Sequence, residues 1–350
     1  GLVHLVDDAK GSPLVARITG VRKQLSRLFG FVVPKFRIRD SLDLAPNEYR
    51  VILGGVSLGG SMIHPGKILA IDTGDVVNAN AVQGEAVRDP SFGCPALWIA
   101  PGDRDPAIAE GYLTVDPGTV IATHVNHMLS EQGEALLGPE EVRQIIDAVR
   151  QHDPGLVEAI HPDPMGLAAL TRILRALIHD RISLAHPIPI FSALALALQQ
   201  TQNFDEIIDQ IRAGLGGWMV SQICGPSDNL PVITLDCALE SAILGGMKDP
   251  ATGQPLIEPD CARMIGERVA AECDARPDAK GLAMIVQPPA RRAIADMLRQ
   301  RAPSCLVLSI TELPARQPVE VIAVIGSETA QAGTTPHPQI EAPTMEDMAA

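Results

Sequence analysis

Residues 112–133 read YLTVDPGTVIATHVNHMLSEQG, and they join a short β-type run to the start of a helix. The β-branched and aromatic residues of 112–115 predict a strand. Asp116 is a favourable helix N-cap, and Pro117 suits the first helical position because the N–H groups there have no partner within the helix. We therefore expect a strand that leads directly into a helix ending near Gly133.

Upstream of this stretch, one helix precedes several short β-type runs. Residues 13–31 carry apolar side chains three or four positions apart, which predicts an amphipathic helix. Residues 73–95 are rich in Gly, Asn, Asp and Pro and are predicted to be loop. The predicted strands are 35–39, 49–53, 67–72 and 96–99, with glycines 54, 55, 59 and 60 indicating a hairpin.

Downstream, helical periodicity dominates from 138 to about 217, and strands and helices alternate again after 229. Residues 327–350 contain no Lys or Arg and are predicted to be a flexible acidic tail. The fold class is therefore mixed α+β and α/β. In the last ordered region the predicted strands are 232–235, 282–286, 304–309 and 320–325, and the predicted helices are 238–244, 260–272 and 289–301.

The size and charge of the chain exclude some classes of protein. Its 350 residues, 46% of them hydrophobic, suit a folded protein of two or three domains at about 150 residues per domain. A net charge of −14 and few aromatic rings (two Trp, two Tyr and six Phe) disfavour a nucleic-acid partner.

The cysteines and the missing targeting segments favour a cytoplasmic location. The six cysteines form no CxxC pair and lie in apolar stretches, as reduced thiols do. We find neither a run of 18 uncharged apolar residues nor the pattern of a signal peptide, so the chain as given is not expected to span a membrane or to be exported. The first residue is Gly rather than Met, which suggests a fragment of something longer.

One short motif matches the spacing of a serine nucleophile. Gly55-Val56-Ser57-Leu58-Gly59 fits the GxSxG elbow, in which small residues expose a serine at a strained strand-to-helix turn. The glycines that follow favour a hairpin instead of a helix. A serine hydrolase using Ser57 therefore stands as a distant alternative.

A second pattern places possible metal ligands on one helix. His124, His127 and Glu131 are spaced so that their side chains share a helix face. A fourth ligand is not apparent nearby, and such residues more often make hydrogen bonds at a domain contact. Phosphate loops, dinucleotide fingerprints and zinc motifs do not occur, so we expect no metal, no cofactor and no enzyme activity.

A set of ordered motifs between Arg37 and His127 resembles the cytoplasmic domain of the flagellar export-gate family, the FlhA/InvA/LcrD family of type III secretion. The resemblance spans about ninety residues in order, and it extends more loosely over the rest of the chain. The motifs are Arg37-Ile38-Arg39-Asp40, Leu44-x-Pro46-x-x-Tyr49-Arg50-Val51, Pro65-Gly66-x-x-Leu69-Ala70-Ile71, Asp89-Pro90-x-Phe92-Gly93-x-x-x-x-Trp98-Ile99 and Thr119-Val120-x-Ala122-Thr123-His124-x-Asn126-His127.

The resemblance implies four small subdomains and a ring. The first would comprise 1–67 and 117–136 with a β-rich second subdomain, 68–116, inserted in it. A helical third subdomain would cover 137–216 and an α/β fourth 217–326, with hinges near Gly138 and Gly217. Family members form a nine-membered ring at the cytoplasmic face of the bacterial inner membrane, joined to it by an N-terminal membrane half that this chain lacks.

The resemblance also implies partners and a binding site. The partners would be flagellar chaperones carrying late substrates, and other export-apparatus proteins such as the ATPase complex and a second export-gate protein. The docking dimple of the family falls on Asp89, Phe92 and Thr123, with Val115 as an apolar wall. A loop phenylalanine such as Phe92 either folds back as a local plug or offers an apolar anchor to a partner.

Two further expectations depend on the same resemblance. Basic residues of the first helix that match ring-contact positions are Arg22 and Lys23, although Gln24 stands where a third base is common. The homologous gate of a virulence injectisome is the alternative function. The Asp89, Phe92 and Thr123 set favours the flagellar branch.

Overall fold

The computed structural model describes residues 2, 5, 13–250, 252–276 and 280–326, and the predicted tail at 327–350 lies outside them. The described chain forms two compact units that divide between Arg212 and Ala213. Both units combine helices and sheets, which confirms the predicted mixed fold class.

The first unit begins with α1 (Pro13–Phe29) and a two-stranded hairpin, β1 (Glu48–Leu53) and β2 (Val56–Met62). A four-stranded antiparallel sheet follows with the strand order β4-β5-β3-β6. Its strands are β3 (Ile68–Ile71), β4 (Glu85–Arg88), β5 (Pro95–Ile99) and β6 (Leu113–Val115). The short helix α2 (Arg104–Ala109) packs on this sheet around a small core that includes Ala107 and Tyr112.

The predicted strand-to-helix junction is present. β6 leads into α3 (Pro117–Glu131), and the Asp116 carboxylate accepts a hydrogen bond from the Thr119 backbone N–H at 3.1 Å. The Arg17 guanidinium also donates to the Asp116 carboxylate at 2.9 Å. α1 packs against α3, and the contact between Arg17 and Asp116 joins α1 to the N-terminus of α3.

The remainder of the first unit is helical, as the periodicity predicts. Its helices are α4 (Gly133–Leu136), α5 (Pro139–His152), α6 (Pro154–Glu158), α7 (Leu167–His179), α8 (Pro187–Gln200) and α9 (Phe204–Gly214). Arg212 of α9 is buried and pairs with the buried carboxylate of Asp180 at 3.1 Å.

The second unit is a parallel α/β sheet with the strand order β10-β7-β8-β9. Its strands are β7 (Leu230–Leu235), β8 (Leu282–Val286), β9 (Cys305–Ser309) and β10 (Val319–Ile325). The helices are α10 (Gly216–Ser221), α11 (Cys237–Gly245), α12 (Pro259–Asp274) and α13 (Pro288–Leu298). Side chains from three of these helices and all four strands form one apolar core.

Three local predictions differ from the structure. The helix predicted to reach residue 31 ends at Phe29, because Gly30 adopts a positive φ of 78° that terminates it. A side chain at Gly30 would collide with the backbone of Leu184 and Ala185. The strand predicted at 35–39 is irregular chain, and the predicted loop at 73–95 contains β4.

Ser57 lies in β2, next to its turn, and not at a strand-to-helix elbow. Gly54 and Gly55 both adopt positive φ and form the tight turn between two antiparallel strands. The chain from Ser57 continues as a strand to Met62. The elbow interpretation of Ser57 is therefore wrong, because an elbow serine must be followed by a helix.

Candidate functional site

The turn between β4 and β5 is organised by the carboxylate of Asp89. Its Oδ2 atom accepts hydrogen bonds from the backbone N–H groups of Ser91 at 3.1 Å and Phe92 at 2.8 Å. The Asp89 main chain bonds to Gly93 and Cys94 across the same turn. A short acidic side chain that bonds the backbone two and three residues ahead is a common way to fix a turn. The conformation around Phe92 is therefore determined locally.

Asp89 itself is only 4% exposed. Both of its described carboxylate bonds run to the backbone of its own loop. The structure thus gives Asp89 a positioning role beneath Phe92. Its suggested contact with a partner remains a prediction.

The loop presents Phe92 to solvent while its ring contacts that of His127 on α3. Phe92 is 69% exposed, and its ring centroid lies 5.4 Å from that of His127 at an interplanar angle of 56°. The half-buried His127 is in turn 4.0 Å from Glu131, one helical turn further on. A large apolar side chain held in this way on a fixed loop offers a partner an anchor of low conformational entropy.

A partly buried hydrogen bond supports α3 behind this surface. The Tyr49 hydroxyl of β1 and the Nδ1 atom of His124 are 2.5 Å apart, and the two rings meet edge to face. Burial raises the pKa of Tyr49, and the Asp89 charge adds to that rise. Burial, followed by repulsion from His127, lowers the pKa of His124, although Asp89 acts in the opposite direction. The Tyr49 hydroxyl therefore keeps its proton, the His124 imidazole is neutral, and the two groups share one hydrogen bond.

The other two predicted dimple residues lie on the neighbouring elements. Thr123 is half-buried on α3, one turn before His127 and on the same helix face. Val115 is the half-buried last residue of β6 and pairs with Leu69 of β3. The ring contact between the loop and α3 is made at His127.

Sequence reasoning missed the part of Tyr49 in this site, and it placed His127 only as a structural residue of the helix behind the dimple. Thr123 and His127 are four residues apart, so their spacing already placed them on one helix face. No comparable signal existed for Tyr49, because its contact with His124 depends on where the hairpin packs. In both cases the contact depends on tertiary packing, which the sequence does not show.

The described side chains do not assemble the metal site considered from sequence. His124 bonds to Tyr49, whereas His127 faces Phe92 and Glu131. Within the residues that the structure covers, no group of three or more His, Cys, Asp and Glu side chains is placed to hold a metal ion.

The two basic residues considered for ring contacts differ in their surroundings. Arg22 is half-buried, and its Nε donates to the carbonyl oxygen of Val33 at 2.6 Å. This bond fastens the chain after α1 back onto the helix. Lys23 is exposed and is the more accessible of the two to another molecule.

Comparison with known proteins identifies the family. The FHIPEP family profile matches residues 1–317. The chain belongs to the FHIPEP family. The resemblance inferred from the sequence motifs is thereby confirmed.

Individual FHIPEP relatives include flagellar biosynthesis proteins named FlhA. The protein from Bacillus subtilis is 31% identical over 93% of this chain and 48% of its own length. The one from Treponema pallidum is 34% identical over 69% of this chain and 34% of its own. The chain thus spans about half the length of the first of these relatives.

Solved structures of less similar chains share the fold. The Chlamydia pneumoniae CdsV protein superimposes with a TM-score of 0.68 at 20% identity, covering 89% of this chain and 91% of that one. The nonameric SctV-C of EPEC gives 0.63 at 15% identity, with coverage of 90% and 94%. In the part of this chain that is described, no helix is both long and apolar enough to cross a bilayer.

Proposed function

We propose that this chain is the docking platform of a flagellar type III protein export gate, and that the Phe92 surface binds chaperone–substrate complexes. The observation that carries this proposal is a phenylalanine left 69% exposed on a loop whose backbone is fixed by Asp89. A ring held in place but uncovered by its own chain is typical of a binding anchor, since a local plug would be buried.

The chemistry of the surface favours a partner with an apolar segment. Phe92 supplies the anchor, His127 supports its ring, and Thr123 lies on the same face of α3. A short amphipathic helix or an apolar linker on a chaperone would bury Phe92, and fully burying such a ring contributes about 1.5–3 kcal/mol. Asp89 acts by holding the loop.

The flagellar assignment is supported over the injectisome alternative by the degree of similarity. The flagellar relatives are about one-third identical, for example 31% and 34%. A solved structure titled as the EscV cytosolic domain from the type III secretion system shares 16% identity. Likeness at that level supports the fold alone.

The architecture and assembly form part of the same proposal. We propose four subdomains with the boundaries given above, hinges near Gly138 and Gly217, and a nine-membered ring at the cytoplasmic face of the inner membrane. The nonameric SctV-C structure and the complex of CdsV with CdsO are precedents in similar proteins for a ring and for a complex with a second protein.

Titration calorimetry with a purified flagellar chaperone bound to its late substrate tests the docking proposal. Phe92→Ala is expected to weaken binding at least about 30-fold, the effect of losing a 2 kcal/mol interface anchor. Met247→Ala is the matched control, because Met247 is 78% exposed and belongs to the second compact unit. Equal affinities for Phe92→Ala and the wild type would show that the docking surface lies elsewhere.

A further inference from the structure

Two side chains of opposite charge lie close to the Phe92 anchor, and they come from different elements. Arg88, the last residue of β4, is exposed, and its guanidinium donates to the carbonyl oxygen of Gly93 at 2.9 Å. Glu131 is the last residue of α3 and lies 4.0 Å from His127, whose ring contacts Phe92. Arg88 thus bonds the residue that follows Phe92 in the chain, and Glu131 approaches the residue that supports its ring.

Neither charge has a close ion-pair partner in the part of the chain that the structure describes. The Glu131 side chain is 62% exposed, and its one described ion-pair contact is the 4.0 Å approach of the His127 ring. Arg88 forms no ion pair with any described acidic side chain, and its described hydrogen bond goes to a neutral carbonyl oxygen. Both charges are therefore available to another molecule that covers Phe92.

The position of Glu131 is unfavourable for the helix that carries it. The C-terminal end of a helix has a partial negative charge, so an acidic side chain there lowers helix stability and a basic one raises it. The last turn of α3 contains no basic residue. An acid that costs stability beside an exposed apolar anchor is typical of a binding surface, since local rules of stability are broken mainly at functional sites.

We propose that the segment covering Phe92 is an amphipathic chaperone helix with a basic residue for Glu131 and an acidic residue for Arg88. This inference rests on the proposed docking function and specifies the chemistry of the partner. The two charges of the surface are opposite and belong to different elements, so one direction of the partner helix satisfies both. The reverse direction brings like charges together. Phe92 supplies the apolar anchor, and the charges set the direction of docking.

Titration calorimetry at low ionic strength, with a purified flagellar chaperone bound to its late substrate, tests the charges. Glu131→Gln should weaken binding about twofold to fivefold, the effect of losing one exposed ion pair. Glu131→Lys and Arg88→Glu should each weaken it about tenfold, because repulsion replaces attraction. Arg88→Lys keeps the charge and should bind within about twofold of the wild type. These losses should shrink at high salt, which screens exposed charges.

A matched variant and a stability measurement control for damage to the fold. Glu158 is also the exposed last residue of a helix, α6, which packs against α5 and α8. Glu158→Lys should therefore bind as the wild type does. Glu131→Lys should melt at or above the wild-type temperature, because a lysine suits the C-terminal end of a helix. Weaker binding without a lower melting temperature is the expected signature.

Phe92→Ala, measured in the same titration, separates this inference from the docking proposal. If Phe92→Ala weakens binding but Glu131→Lys and Arg88→Glu do not, the docking surface stands and the charged partner is wrong. If only one of the two reversals weakens binding, or if Glu131→Lys tightens it, the assigned direction is wrong. If Phe92→Ala binds as the wild type does, the docking proposal fails and this inference fails with it.

Discussion

Replacing Asp89 by alanine removes the oxygen that accepts the backbone N–H groups of Ser91 and Phe92 at 3.1 and 2.8 Å. A hydrogen bond to a charged group contributes about 1.5–3 kcal/mol. We therefore expect the loop to open about 2 kcal/mol more easily. Hydrogen exchange of these two amides, followed by NMR, should then be roughly 30-fold faster than in the wild type.

Asp89→Asn is the matched variant, because its amide oxygen can still accept both hydrogen bonds without the charge. Exchange in this variant should stay within about fivefold of the wild type, since neutral hydrogen bonds retain part of the stabilisation. Wild-type exchange rates in Asp89→Ala would refute the idea that this carboxylate holds the loop. Equal acceleration in both variants would show that the charge, not the acceptor geometry, matters.

Three further perturbations test the scaffold around the site. Gly30→Ala should lower the free energy of unfolding, measured in urea, by about 1–3 kcal/mol. Gly30 has a positive φ, and a Cβ there would collide with backbone atoms. Gly20 lies in open space within α1, so the control Gly20→Ala should raise the free energy of unfolding by about 0.5–1 kcal/mol. Arg212→Ala removes the buried guanidinium that pairs with the Asp180 carboxylate at 3.1 Å. Breaking a buried ion pair costs about 3–5 kcal/mol, so we expect a lower melting temperature. His124 has a lowered pKa when folded, so the unfolded chain binds its proton first and stability should decline as the pH falls through about 6.5. His124→Gln should flatten that part of the pH profile, and an unchanged slope would assign it to another group.

Local sequence signals predicted the elements whose chemistry is local. Asp116 caps α3 as its type and its following proline indicate. The strand predicted at 282–286 coincides with β8, since a fully buried parallel strand is a continuous apolar run. The helical stretch after Gly138 also follows from periodicity alone.

Elements at sheet edges and in exposed segments were harder to predict. β4 is an edge strand with only Val87 half-buried, so it lacks the alternation that marks a strand. Residues 35–39 are β-type in sequence but form no strand, because none of the described strands pairs with them. Strand formation depends on a partner, which a short window of sequence does not show.

The candidate site also combines a local turn, which the sequence predicts, with contacts between distant elements, which it does not. Asp89 and Phe92 are close in the chain, and their relation is a local turn. The contact of Phe92 with His127 and that of Tyr49 with His124 join different elements. These contacts arise from packing, so they could not be read from residue spacing.

Site-specific photo-crosslinking tests the central claim most directly. A photoreactive phenylalanine analogue at position 92 is irradiated with a purified flagellar chaperone bound to its late substrate, and the same analogue at position 247 is the control. The docking proposal predicts a crosslink to the chaperone from position 92 and none from position 247. A crosslink from position 92 only to another copy of this chain, or equal chaperone crosslinking from both positions, would contradict it.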